Sequence, residues 1–488
     1  MNTVCGLYNS SLFQSGTPEK QSASLRFFQG RQGRMNKLKE VAVKKPCSFI
    51  FVVAFIVLAV LQYKPAVLNY TTRFVDFAQY MLAHGVTLFP IAEDLQPYPD
   101  YTVINTLLVY LVSLPFGRVS ILSMGVPFCV AAALMLVFIY KLGALHEKKW
   151  GAYGVVFALF TWSFLDGVNS LALDVYPALF TVVCFYLAYA GEVHQQRYRL
   201  PLVLAGLALG FAFRGPIGLI GPASVVASYY LLSRQWRMLV VFSLLAGLVL
   251  ATGIAVLTWA AYVQGGVAFL QEVLIMQGLG RFGSDHAPRY YFYFSAGLLT
   301  YGVTALIAVS VIIRKGKHFF DSTPHAATNM LLYLTGWLLV IIVLFTIPSS
   351  KKARYILSIT PAISLLAAYV FVDRSEMFAN TRKKLLGFCL ELPLIGLVML
   401  LLAYGYSLYA VTPLQPNYLG ACLGLITLVA VRPWLESRFH GHPHREFVIF
   451  SFGAVTFLIL DMFFFNCVTY HLELAHEPTP KFLPYWFW

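Results

Sequence analysis

The sequence predicts an all-α polytopic membrane protein of about thirteen transmembrane helices. Of its 488 residues, 59% are hydrophobic and only 11% charged, where a soluble domain carries about 25% charge. Lipid must therefore be the main solvent. Apolar runs of about 20 residues recur from Cys47 to Tyr470, each long enough to cross the hydrocarbon core as a helix that satisfies its own backbone. Alternation with period two is absent, which excludes a membrane β-barrel.

The elements follow from the charges. Residues 1–46 form a polar, basic tail (Arg26, Arg31, Arg34, Lys37, Lys39, Lys44, Lys45) that runs into the first apolar stretch, 47–63. Such a flank stays cytoplasmic, so the first span exits the cytoplasm. The tail lacks a small-residue cleavage site and is not read as a signal peptide. Residues 64–118 are read as one long external segment, because Val103 to Pro115 is short and bounded by Pro and Gly, which suits an interfacial helix better than a span. Every later basic loop then falls inside, from Lys141, Lys148 and Lys149 through to Arg432 and Arg445. The remaining spans are 119–140, 151–168, 174–191, 200–213, 216–232, 238–262, 290–313, 329–347, 355–373, 385–411, 417–431 and 447–470. The N-terminus is thus expected inside and the C-terminal tail outside. Three regions result: the tail 1–46, a transmembrane core 47–374, and a three-helix C-terminal region 375–488 whose aromatic end, "FLPYWFW", suits headgroup depth.

The net charge of +14 is mostly what orientation in a membrane demands, and no nucleic-acid partner is inferred from it. Seven cysteines lie mostly inside apolar runs without CxxC spacing, so they read as small core residues rather than a zinc or disulfide framework. A few cations sit at the outer surface, against the orientation rule: Arg73, Arg214, Arg281, Arg289, Lys351, Lys352 and Arg354. An anionic ligand at that face is the economical explanation.

Four outer stretches carry the chemistry-bearing residues. The external segment holds Asp76, Glu93, Asp94 and Asp100, with Phe74, Phe77, Tyr80 and Met81 at helical spacing, which predicts an amphipathic helix against the bilayer. A carboxylate there is either solvated decoration or a group that orients or deprotonates a hydroxyl. "QGLGRFGSDHAPRYYFY" offers Arg281, Asp285, His286 and Arg289; the Asp-His pair reads as structural or as acid-base or metal-binding. "IPSSKKARYILSITP" places Lys351, Lys352 and Arg354 with two serines at the outer end of a span, a set suited to a lipid-linked phosphate. "FRGPIGLIGPA" puts Arg214 at an outer turn, either snorkelling or functional. Asp174 starts a span and suits a plain helix cap as well as a site. Glu391 and Asp461 are intramembrane acids that mark either an ion path or buried pairing.

Taken in order, "TRFVDFAQYMLAHG", "QPYPDYTVINTLL", "ALDVYPALF", "FRGPIGLIGPA", "GLGRFGSDHAPRYYFY" and "SKKARYILSITPAISLLAAY" resemble the signatures of membrane glycosyltransferases of the aminoarabinose-transferase and protein O-mannosyltransferase kind. The resemblance covers roughly residues 50–373 and implies a GT-C-like fold with amphipathic helices in the first external segment. It also implies an inverting transfer of a sugar from a polyprenyl-phosphate carrier to a lipid or glycan acceptor at the outer face of a bacterial inner membrane. Carried over by position, Lys351, Lys352, Arg354, Arg214 and Arg281 hold the carrier phosphate; Asp76, Asp100 and Asp174 are the catalytic acids; and Asp100 with His286 are ligands for a divalent metal. One departure stands out. The family's acid just before its "xRYA" is replaced by Tyr70, Thr71 and Thr72, so Asp76 or Asp100 is expected to substitute, unless the activity is altered. Two other readings stay open: a transporter or flippase of an amphiphilic anion, which would favour inverted repeats and broken helices, and a relative that binds carrier lipid without catalysis.

Overall fold

The computed structural model describes residues 44–62, 64, 66–68, 71–92, 95–196, 198–278, 290–321, 325–349, 351–411, 414–476 and 480–484. About four fifths of them are helical. Helices α1 (Pro46–Leu61), α2 (Thr72–His84) and α3 (Ile104–Ser113) precede α4 (Ile121–Ala144), around which the first half of the bundle is built. Ser120 starts α4 because its hydroxyl accepts the Ser123 N–H while the Ser123 hydroxyl accepts the Ser120 N–H, a reciprocal cap. α4 packs on α1, on α5 (Lys148–Leu159) and on α7 (Val175–Val193).

The predicted span 151–168 is not one straight helix. α5 and α6 (Trp162–Asn169) meet at a bend of 62°. Thr161, at the bend, donates its hydroxyl to the Phe157 carbonyl at 2.7 Å, which also accepts the Phe160 N–H. α7 then packs on α8 (Arg199–Arg214) and on α9 (Pro216–Leu232). α8 and α9 touch where Gly210 meets Gly218: a Cβ on either would lie 2.3 or 2.0 Å from the other's carbonyl oxygen. Small residues permit such an approach, and dispersion at close range is what joins helices in lipid.

α10 (Trp236–Gln277) extends well beyond the predicted span 238–262, and its direction changes at Gly265 and Gly266, the latter at φ 69°. α11 (Gly302–Lys315), α12 (Ala326–Thr346) and α13 (Thr360–Val372) complete the core. α13 is buried along nearly its whole length and anchored by Trp150, whose indole donates to the Leu365 carbonyl at 2.8 Å. The C-terminal helices α14 (Ala379–Ser407), α15 (Tyr418–Arg438), α16 (Arg445–Leu460) and α17 (Asn466–Leu474) attach through rings. Phe447 packs edge-on against Tyr153 at 5.3 Å, and Phe450 packs on Phe157 at 4.5 Å.

Every predicted span contains a helix. Among the described residues eight helices are long and apolar enough to cross a membrane alone, nine if the bent pair counts as one; α1 and α9 are shorter apolar helices, and α8 and α11 are short as well. The chain is a multi-pass membrane protein.

Two expectations about the external segment need correction. The apolar face of α2 is not turned to the bilayer: Phe74, Phe77 and Met81 are buried against the protein, with Phe74 5.4 Å from the Tyr101 ring and Phe77 5.4 Å from the Tyr98 ring. Aromatic partners inside the segment are near enough to cover that face, so lipid is not needed. Nor is the C-terminal tail simply an anchor. Strand β1 (Ala66–Val67) pairs antiparallel with β2 (Lys481–Phe482), the Ile121 N–H donates to the Pro484 carbonyl at 2.9 Å, and Lys481 donates to Asp76. Tyr485 to Trp488 lie outside the described residues.

Candidate active site

The turn between α8 and α9 aims the first functional side chain. Gly215 adopts φ 63° and a Cβ there would sit 2.3 Å from the Gln277 Oε1, so the turn requires glycine on both conformational and steric grounds. Pro216 at the first turn of α9 then costs no hydrogen bond. This sharp reversal holds Arg214 inward rather than letting it snorkel. Its side chain is only 7% exposed, and its guanidinium lies 5.4 Å from the centre of the Tyr101 ring. Burial pushes the Tyr101 phenol up to about 12, so a neutral hydroxyl stays under the cation.

Asp174 completes the cluster. It stands before α7 but makes no capping hydrogen bond; instead its two oxygens face Arg214 Nε at 4.0 Å and Arg354 Nε at 3.6 Å. Those separations are ion-pair contacts, not hydrogen bonds, so Asp174 orients two guanidinium groups without saturating their donors. Arg354 comes from the 3₁₀ turn Ala353–Ile359 that leads into α13. Asp100 and Tyr355 also lie in the field of Arg214.

An apolar groove of about 380 Å³ opens beside this cluster. Its walls are Pro216, Ile217 and Ile220 of α9, Leu250 and Ile254 of α10, and Leu344 to Pro348 at the end of α12, while Gln277 and Tyr355 supply its polar end. Gln277 is fixed by donating to the Pro99 carbonyl at 3.1 Å. The arrangement suits one chemistry: a long apolar chain along the groove and an anion against Arg214 and Arg354.

The structure thus brings Asp174, Arg214, Arg354 and Asp100 together. Other expected residues are differently placed. Asp76 is engaged by Lys481 from the far end of the chain. Lys351 spends its ammonium on the Thr346 and Pro348 carbonyls at 2.7 and 2.6 Å, closing the end of α12. The Lys352 side chain is exposed. Arg73, exposed, donates to the Tyr98 hydroxyl. Glu391 is paired with Arg432 at 2.7 and 2.9 Å, whereas Asp461 is buried and accepts from Asn169 Nδ2 at 3.0 Å. Arg281 and His286 lie outside the described residues. Among the described residues no three of His, Cys, Asp and Glu come together to hold a metal, and Asp100 faces an arginine, which competes for the same carboxylate.

Sequence reasoning missed Tyr101, Gln277 and Asp166. The first two carry no charge to mark them. Asp166 was hidden by its place within an apolar run, although it stands only eight positions before Asp174 in "FLDGVNSLALD".

No family model matches the chain. Over 260 residues it is 26% identical to an undecaprenyl phosphate-alpha-4-amino-4-deoxy-L-arabinose arabinosyl transferase of Yersinia enterocolitica, a match covering 50% of this chain and 44% of that protein. The Yersinia pestis protein of the same name is 24% identical over 319 residues, covering 62% and 54%. The chain thus matches about half the length of these curated relatives. Among solved structures, it is similar to the crystal structure of ArnT from Cupriavidus metallidurans bound to undecaprenyl phosphate, with TM-score 0.67, 14% identity, and coverage of 85% of this chain and 77% of that one. The apo form of the same protein gives TM-score 0.64, with 86% and 78% covered. The chain has this GT-C fold.

Proposed function

We propose that the chain is an inverting glycosyltransferase that moves a sugar from a polyprenyl-phosphate carrier to a lipid or glycan acceptor at the outer face of a bacterial inner membrane, with its N-terminus cytoplasmic and its C-terminus external. The observation that carries this reading is the apolar groove between α9, α10 and α12, lined by Pro216 and Tyr355, which stand within two positions of Arg214 and Arg354 in the chain, together with the pairing of both arginines to Asp174. A polyprenyl chain is long, apolar and headed by one phosphate. The names of the Yersinia relatives and the ligand of the Cupriavidus structure support the same class.

The residues divide the work as follows. Arg214 and Arg354 hold the phosphate and take up the charge that develops on it as the bond to the sugar breaks; such preorganised donors are the usual source of rate enhancement in group transfer. Asp174 keeps both guanidinium groups aimed at one point. Tyr101 and Gln277 fix the rim. Lys352, exposed beside Arg354, adds a mobile charge to the entrance, and Lys351 serves by closing α12. With Asp174 committed to two arginines and Asp76 to Lys481, the acceptor's proton needs another carboxylate. A divalent ion on Asp100 and His286 is a separate proposal, read by whether EDTA abolishes transfer and Mg²⁺, Mn²⁺ or Zn²⁺ restores it; no step here passes through it.

The test uses membranes containing the chain and a panel of undecaprenyl phosphates carrying ¹⁴C-labelled pentoses and hexoses. Label should pass from one donor to endogenous lipid or glycan, with free undecaprenyl phosphate appearing in equal amount. Arg214→Ala with Arg354→Ala should lower that rate at least about 100-fold. A protein that binds undecaprenyl phosphate but consumes no donor would be a carrier-lipid binder instead.

A further inference from the structure

A second, partly open chamber has one wall of polar and charged groups, Lys64 of the first segment, Asp166 and Asn169 of α6, and Asn466, Tyr470 and Glu473 of the C-terminal helices, and an apolar remainder that includes Val67, Ile121 and Met124. It offers about 70 Å³ of room for the centres of water-sized groups, where a single water needs roughly 10–15 Å³. Several small polar groups fit.

The walls are aimed at such groups. Among the described residues, Asn169 Oδ1, Asn466 Nδ2, the Tyr470 hydroxyl and the Oδ1 of Asp461, whose other oxygen accepts from Asn169, are buried without a protein hydrogen-bond partner. Asn169 is only 2% exposed. Its other side-chain atom and its carbonyl are fixed, the Nδ2 by Asp461 and the carbonyl by Lys64 Nζ at 2.5 Å, so the free Oδ1 has a set direction. The wall presents both donors and acceptors, and Lys64 already lies among the charges of Glu473, Asp166 and Asp461. Hydroxyl groups, which donate and accept at once, match this set better than an anion or a cation does.

Asp166 joins the chamber to the arginine cluster. It lines the chamber, stays partly exposed, and has both Lys64 and Arg354 acting on its carboxylate. Unlike Asp174 and Asp76, it makes no ion pair or side-chain hydrogen bond among the described residues. Asp166 stands on α6, just past the 62° bend from α5.

We propose that the chamber receives the hydroxyl-bearing end of the acceptor, and that Asp166 is the carboxylate that takes the proton from the attacking hydroxyl. This rests on the glycosyltransferase reading and supplies its missing base. As the acceptor oxygen forms its bond to the anomeric carbon, the carbon–oxygen bond to the carrier phosphate breaks. The electron pair leaves with the phosphate toward Arg214 and Arg354, and the hydroxyl proton passes to Asp166.

The experiment compares wild type, Asp166→Asn and Asp166→Glu, each purified in detergent for undecaprenyl phosphate binding and assayed in membranes with the donor panel above. The expected result is a loss of transfer of at least about 100-fold in Asp166→Asn, carrier binding within threefold of wild type, and partial rescue in Asp166→Glu. The acid limb of the wild-type rate–pH profile should be absent from the residual Asp166→Asn rate. Transfer by Asp166→Asn within threefold of wild type overturns the assignment and leaves the enzyme reading intact. Loss of carrier binding in both variants also overturns it, because Asp166 then belongs to the frame of the phosphate site. Wild type that binds carrier and consumes no donor overturns the enzyme reading and this assignment with it.

Discussion

At the scale of single residues, the cluster lives on the balance of buried charge. Arg214 and Asp174 are each about 7% exposed on their side chains, and removing Arg214 leaves the buried Asp174 with Arg354 alone. Breaking a buried pair costs up to about 3–5 kcal/mol, whereas replacing both partners together by neutral groups costs less. Arg214→Ala should therefore unfold at a clearly lower temperature in detergent, and Arg214→Gln with Asp174→Asn should recover much of the difference. Equal melting temperatures for the single and double variants would mean that Asp174 and Arg214 are not coupled. Gly215→Ala is a second test. It forces a side chain into a φ of 63° and against Gln277, which should cost about 1–3 kcal/mol and weaken carrier binding by moving Arg214. Sequence made Arg214 and Arg354 legible, because cations at an outer surface contradict the orientation rule and need a cause. It left Asp174 ambiguous, since a residue that opens a helix reads as a cap until its side chain is seen to face two arginines instead. Asp166 was not legible at all, because an acid inside an apolar run looks like part of a span until the run is known to bend.

At the scale of elements, the external segment is held from two directions. α2 packs its aromatic face against Tyr98 and Tyr101, and β1 takes β2 from the end of the chain while Lys481 holds Asp76. The pairing of Asp76 with Lys481 spans 405 positions. No local pattern predicts a contact that distant, whereas the helix of α2 itself was readable from the spacing of Phe74, Phe77 and Met81. Lys481→Met should loosen the strap without removing the core helices. Limited proteolysis should then cut the segment between Ala66 and His84 several-fold faster than in wild type, with unchanged far-ultraviolet circular dichroism. Unchanged cleavage would show that β2 adds nothing to the order of that segment. The apolar runs gave the helices reliably because 3.6-residue turns of uniform hydropathy need no partner to be recognised. They could not reveal the 62° bend between α5 and α6, which is set by contacts of Thr161 and Ser163 with α11 and the turn before it.

At the scale of the whole molecule, the bundle keeps an apolar groove apart from a chamber with polar and charged groups in its wall, and places the Asp174 cluster between α7, α8 and the 3₁₀ turn before α13. The C-terminal helices, which the resemblance did not reach, contribute Asn466, Tyr470 and Glu473 to the chamber wall. A ligand that binds only the folded protein stabilises it, by about 2.7 kcal/mol at a hundred times its Kd. Undecaprenyl phosphate should therefore raise the melting temperature of the wild type and leave Arg214→Ala with Arg354→Ala nearly unmoved. The most direct test of the central claim is a cryo-electron-microscopy structure with undecaprenyl phosphate bound. The account predicts its phosphate between Arg214 and Arg354 and its chain against Ile217, Ile254 and Phe345. A phosphate seated away from both arginines, or a chain in the other apolar groove beside Phe211 and Trp259, would contradict it.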